Sequence, residues 1–272
     1  MSSPSLAMVV DALESLAPLS GAASWDNVGL LVEPVPEASV GRVLLCIDLS
    51  ESVMDEALSD GAELVVAYHP PIFTGARRLT QAVPLQRSIL RAVRGGIAIH
   101  SPHTALDAAA GGVCDWLSSG LGPLASSRPI EPLSPPLDSN LGGGRLVTLA
   151  EPASLGTLTG RIKRHLGLTH LRSASHPRHE GDQATVRSVA VCPGSGGGLF
   201  EGVASADLFV TGEMQHHDVL ARVAMGSAVV LTDHSNSERG YLPILRERLA
   251  DALGPGVEVR VSTADAEPLR VV

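Results

Sequence analysis

The stretch ELVVAYHPPIF, residues 63–73, decides the architecture. Its first half is a continuous apolar run without helical period, the pattern of a strand buried on both faces. It ends on Tyr68 and His69 and then breaks at two prolines, so an imidazole stands just past the strand's carboxyl end. Two runs of the same kind flank it, RVLLCID at 42–48 and GIAIH at 96–100, with helical patterns at 51–60 and 85–94 between them. Buried strands alternating with helices are βα units around a mostly parallel sheet. An amphipathic helix precedes them, with Leu6, Val9, Val10, Leu13 and Leu16 at helical spacing, and another follows at 113–121.

Between 122 and 144 no hydrophobic period survives. Prolines at 123, 129, 132, 135 and 136 mix with serines and end in three glycines, which reads as a linker or long crossover. A second α/β series follows, with strands at 145–150, 169–174, 186–192, 207–211, 228–232 and 257–261. Helices are expected at 154–166, 199–204, 216–224 and 238–253, and a polar loop at 176–185. The expected fold is therefore α/β and two-lobed, with mostly parallel sheets flanked by helices. Residues 1–121 form the first lobe and 145–272 the second segment, with 227–272 returning ligands to a shared site in the crevice at the strands' carboxyl ends.

The composition narrows the function. With 44% hydrophobic residues, the 272-residue chain is not disordered, and its net charge of −9 argues against broad nucleic-acid binding. No apolar run reaches bilayer length and no secretory signal is visible, so a soluble cytoplasmic protein is expected. The three cysteines, Cys46, Cys114 and Cys192, are scattered and fit a reducing interior as buried thiols. Ten histidines against seven aromatics (Phe 3, Trp 2, Tyr 2) are the anomaly.

Three of those histidines follow strands. His69 follows 63–68, His103 follows 96–100, and His234 follows 228–232; Asp107 and Glu238 stand four residues after the last two. A four-residue step puts both side chains on one side of a helical turn, a chelating arrangement. An isolated H-x-x-x-[DE] is common by chance, and a lone histidine after a strand is usually a loop residue or helix cap. The convergence of five such groups on one sheet edge carries the reading. Three imidazoles and two carboxylates exceed what one tetrahedral zinc needs and suit two divalent ions used for hydrolysis through a metal-bound hydroxide. Zn, Mn, Fe and Co all match this donor mix.

Weaker features surround this set. PGSGGG at 193–198 joins a strand to a helix and reads equally as a tight turn or an anion-cradling loop with Ser195. Glu213, His216, His217 and Asp218 open a helix, where Glu213 and His217 are candidates for substrate contact or for support behind the ligands. Tyr68 and Arg239 are candidates of the same kind.

Taken in order, WDNVGLLVE (25–33), YHPPIF (68–73), PHTALDAAAGGVCDWL (102–117), GGGRLVTL (142–149), VAVCPGSGG (189–197), VTGEMQHHD (210–218) and HSNSERGYL (234–242) resemble the NGG-interacting factor three family, also called GTP cyclohydrolase I type 2-like. The resemblance implies a dinuclear metal site with ligands on His69, Asp107, His234 and Glu238, Glu238 bridging and His103 close by. It also implies a toroidal homohexamer. Many bacterial members begin the first metal motif with two adjacent histidines where Tyr68 stands here, and the form of the motifs is closer to the eukaryotic branch. Losing that imidazole weakens one metal position unless Tyr68 or water substitutes.

Three function classes follow. One is a divalent-metal-dependent hydrolase-like protein acting on a small nucleotide-like or phosphorylated substrate, with Glu238 and His103 catalytic. The second is a regulatory scaffold with a transcription-related protein partner and a structural or vestigial metal site. The third is a metal-handling protein. Open ligands on Gly-rich loops favour the first.

Overall fold

The computed structural model describes residues 3–133, 140–181 and 184–272; Pro135 and Pro136 of the expected linker, and part of the expected loop at 176–185, lie outside them. Helix α1 (Leu6–Leu16), strands β1 (Gly29–Val32) and β2 (Arg42–Cys46), helix α2 (Glu51–Asp60), strand β3 (Leu64–Ala67), helix α3 (Pro84–Gly95), strand β4 (Ala98–Ser101) and helix α4 (His103–Ala108) come first. Helix α5 (Val113–Ser119), strands β5 (Leu124–Arg128), β6 (Glu131–Pro132), β7 (Gly142–Gly143) and β8 (Arg145–Ala153), helix α6 (Leu155–Leu166) and strands β9 (Arg172–Ser175) and β10 (Val186–Ser195) follow. The series ends with helix α7 (Gly197–Phe200), strand β11 (Leu208–Glu213), helix α8 (His216–Ala224), strand β12 (Ala228–Leu231), helix α9 (Leu242–Leu253) and strand β13 (Glu258–Val261). Two compact units result: Met1–Leu106 with Tyr241–Pro268, and Asp107–Gly240 with Leu269–Val272.

In the first unit the sheet order is β1-β4-β3-β2-β13. β4, β3, β2 and β13 run parallel and β1 closes the edge antiparallel. One face packs Leu44, Cys46, Val65, Ala67 and Ile99 against Val53 and Met54 of α2 and Ile89 and Ala92 of α3. The Val, Leu, Ile and Met side chains among them each gain about 1.5–3 kcal/mol from burial. The helices start and stop where local chemistry directs. The Ser50 hydroxyl accepts from the Val53 amide at the start of α2, and Gly61 ends it in the left-handed region. Glu56 on α2 accepts from Ser262, Thr263 and Ala264, tying the segment after β13 to the helix. Burial alone would raise its carboxyl, but these hydrogen bonds outweigh that and hold it at about 2.

The second sheet is mixed rather than mostly parallel. Its order is β5-β8-β10-β11-β12-β9, in which β10, β11 and β12 run parallel while β8, β5 and β9 pair antiparallel. Residues 124–128, expected in a linker, form β5 on β8. The segment shows no apolar alternation because an edge strand held by backbone pairing needs none, and Ala125 through Arg128 are exposed. Ala190, Cys192, Phe209, Val229 and Leu231 build the core with Phe200 and Val203.

Two buried polar residues were not anticipated as interior. Arg145, 1% exposed, donates through Nε to Asp115 at 2.5 Å and through Nη1 to the carbonyls of Gly142 and Gly144 at 2.7 Å each. His100 on β4 is 1% exposed, and among the described residues neither ring nitrogen has a hydrogen-bond partner. Among the described residues no helix is long and apolar enough to cross a membrane.

Candidate metal-ligand side chains

Parallel strands deliver side chains to one edge. In the first unit the carboxyl ends of β2, β3 and β4 are followed by Asp48, His69 and His103. His69 Nδ1 donates to Asp48 Oδ1 at 2.9 Å. His103 Nδ1 lies 2.9 Å from both oxygens of Asp26, whose side chain is fully buried and also accepts from the Thr104 amide and hydroxyl. Burial pushes the Asp26 carboxyl upward, yet the hydrogen bonds from His103 and Thr104 win and hold it below the usual range. His103 itself sits at φ +24°, a conformation unusual outside glycine. Such a backbone persists where its surroundings hold it, here Pro102 before it and Asp26 beside it. The rings of His69 and His103 are 5.4 Å apart, and buried Tyr68 contacts both at 5.1 and 5.4 Å between centroids.

In the second unit β10, β11 and β12 bring Gly194, Glu213 and His234 to one edge. His234 Nδ1 donates to Glu213 Oε1 at 2.8 Å, so its Nε2 carries the lone pair. That nitrogen faces Glu238 Oε1 at 3.5 Å across a short 3-10 turn, Ser235–Ser237. Asp233, just before His234, has φ +67°. Asp107 on α4 and Glu238 both act on the buried Cys192 thiol, which desolvation and these carboxylates push well up; desolvation and Asp107 do the same to Cys114. Both cysteines, like Cys46, are buried and outside any disulfide among the described residues.

All three imidazoles thus share one device. Each gives its Nδ1 proton to a carboxylate (Asp48, Asp26 or Glu213), which fixes the tautomer and leaves Nε2 as the ligand atom. This is the usual support behind a metal-bound histidine. By donor type, His234 and Glu238 of the second unit offer an imidazole and a carboxylate, and His69 of the first unit offers an imidazole, donors that suit a divalent ion. Gly194 adds a steric sign. At φ +60°, a Cβ there would lie 2.6 Å from Glu238 Oε1 and 2.9 Å from His234 Nε2. The space beside both donors exists because position 194 has no side chain. Gly194→Ala is expected to reduce divalent-metal content at least tenfold while the fold survives, read by elemental analysis beside circular dichroism.

The other expected site residues fall as follows. Ser195 ends β10 and pairs in register with exposed Glu213. His217 lies on exposed α8 with its ring against His216 at 5.4 Å. Arg239 donates to Ser235 Oγ at 2.9 Å. The amides of Gly194 and Gly196 donate to Ser237 and Thr211, which takes two donors of the PGSGGG stretch out of any anion cradle. Asp26 and Asp48 were missed by sequence reasoning. Asp26 adjoins Trp25 in the quoted WDNVGLL motif, so that motif was a usable signal.

Sheet edges carrying propped histidines define an α/β protein with the makings of a metal centre, and comparison with known proteins names the family. The model of Duf34/NIF3 (NGG1p interacting factor 3) matches residues 4–268. NIF3-like protein 1 of Drosophila melanogaster is 41% identical, across 98% of this chain and 89% of its own. NGG1-interacting factor 3 of Saccharomyces cerevisiae is 39% identical, across 91% of this chain and 90% of its own. A solved structure, a Bacillus cereus protein related to NIF3, shares the fold with a TM-score of 0.86 at 21% identity, covering 100% of both chains. The chain belongs to the Duf34/NIF3 family.

Proposed function

We propose that the chain is a divalent-metal-dependent hydrolase-like protein acting on a small nucleotide-like or phosphorylated molecule, with His69, His103, Asp107, His234 and Glu238 as the ligand set of a dinuclear centre. The observation that supports it most is the repeated imidazole–carboxylate pairing, because a histidine kept in one tautomer by Asp48, Asp26 or Glu213 is a prepared ligand. A bound divalent ion supplies Lewis acidity and brings the pKa of water toward neutrality. Around it, Asp26 orients the His103 ring through Nδ1, and Glu238, 2% exposed, supplies a carboxylate shielded from bulk water. Assembly as a homohexamer belongs to this proposal through the family resemblance.

A second reading has its own support: the yeast relative is named an NGG1-interacting factor, which suits a protein-binding role with a structural metal site. Elemental analysis of purified protein, joined to a hydrolysis screen on nucleotides and cyclic phosphates, separates the two. The hydrolase reading expects bound Zn, Mn, Fe or Co, loss of metal in His234→Ala and Glu238→Ala, and turnover that disappears with it. Metal-replete protein inert across the screen would favour the interaction reading.

A further inference from the structure

Aromatic residues are scarce here, three Phe, two Trp and two Tyr in 272 residues, yet the first unit gathers three of them around two imidazoles. The Trp25 ring lies 6.0 Å from Phe73 at 51° and 6.1 Å from His103, edge to face, and Tyr68 fills in behind. Tyr68 is buried, but Trp25 is 63% and Phe73 48% exposed. The loops presenting them are anchored. The Asn27 side-chain amide donates to the Ile72 carbonyl, joining the two loops, and the Ala23 amide donates to the Thr104 hydroxyl. Asp26, next to Trp25, is locked on His103 and Thr104. Two π faces are therefore held open to solvent in a fixed tilt, which lowers the ordering cost of stacking a ring there.

The loop after Phe73 adds charge. Arg77 and Arg78 are exposed, and neither has an ion-pair partner among the described residues, in a chain with a net charge of −9. Guanidinium groups are suited to phosphate oxygens. We infer that Trp25 and Phe73 form the stacking subsite for the planar heteroaromatic base of a nucleoside monophosphate, and that Arg77 and Arg78 receive its phosphate. This rests on the reading of the protein as acting on a small nucleotide-like molecule, and it assigns residues outside the metal ligands to recognition.

Tryptophan fluorescence of the full chain tests it, because Trp116, the other tryptophan, is 9% exposed and Trp25 dominates any solvent-side quenching. The probes are AMP, CMP, adenosine and ribose 5-phosphate, with metal content and sedimentation measured on the same samples. Saturable quenching by AMP and CMP but not by ribose 5-phosphate is expected. Phe73→Ala should weaken AMP roughly tenfold, and Trp25→Ala, followed by equilibrium dialysis, at least as much. The Arg77→Ala/Arg78→Ala double variant should weaken AMP but leave adenosine unchanged. No saturable binding of AMP or CMP at millimolar concentration overturns the inference. So does unchanged AMP affinity in Trp25→Ala with an altered sedimentation coefficient, which would make the patch a contact between copies. Metal-free protein that still binds AMP through Trp25 would sink the metal-hydrolase reading alone, whereas metal-replete protein indifferent to AMP would sink this one alone.

Discussion

Replacing Arg145 by methionine is expected to destabilise the protein by about 3–5 kcal/mol and to lower the thermal midpoint by roughly 10 °C. The side chain is the largest among the fully buried ones, and its guanidinium ends two carbonyls and a carboxylate at once. Methionine fills the volume but leaves the Gly142 and Gly144 carbonyls without their donor inside the protein, and an orphaned buried acceptor costs more than a neutral hydrogen bond contributes. Asp115→Asn should cost less, because the Asp115 side chain is 35% exposed and water can take over. Urea and thermal melts of both variants check the order. Arg145→Met within about 1 kcal/mol of the parent would show that the carbonyls find other partners.

The second large effect is one of acidity. Burial lowers the His100 pKa from 6.5 to about 4. The folded state therefore resists a proton that the unfolded chain accepts. Stability from this residue is complete above pH 6.5 and is lost as pH falls from there toward 4, by up to about 3 kcal/mol. His165, also lowered by burial, works in the same direction. His100→Leu removes this slope, and at neutral pH it should be no less stable than the parent, since two buried ring nitrogens without hydrogen bonds disappear with it. Denaturant titrations of parent and variant at steps across that window decide the matter; equal slopes would mean that His100 does not stay neutral in the fold.

Local patterns were legible and long-range ones were not. The strand runs around residues 42–48, 63–68 and 96–100 appear at nearly those positions, because continuous β-branched segments bounded by breakers have few alternatives. The four-residue step from His234 to Glu238 translates into a real 3.5 Å approach, since a single turn is a property of neighbouring residues. Asp26 is 77 residues from His103 and Asp48 is 21 from His69, so no spacing rule connects them. An arginine reads as a surface residue, and nothing near Arg145 announces that a glycine turn folds over it. β5 escaped because a proline-flanked serine segment pairs by its backbone alone.

One feature of the topology bears on how the molecule is made. The first unit closes with segments far apart in sequence: β13 pairs with β2, the Ile47 amide donates to Asp265, and Glu56 receives residues 262–264. During synthesis, then, β2 waits at an open sheet edge while the second unit's segment emerges, because the strand that covers it follows that whole segment in the chain. An unpaired parallel edge of Val43, Leu44 and Leu45 is a ready template for wrong partners. For this chain, exposure of that edge belongs to the nascent polypeptide and lasts until β13 pairs with β2.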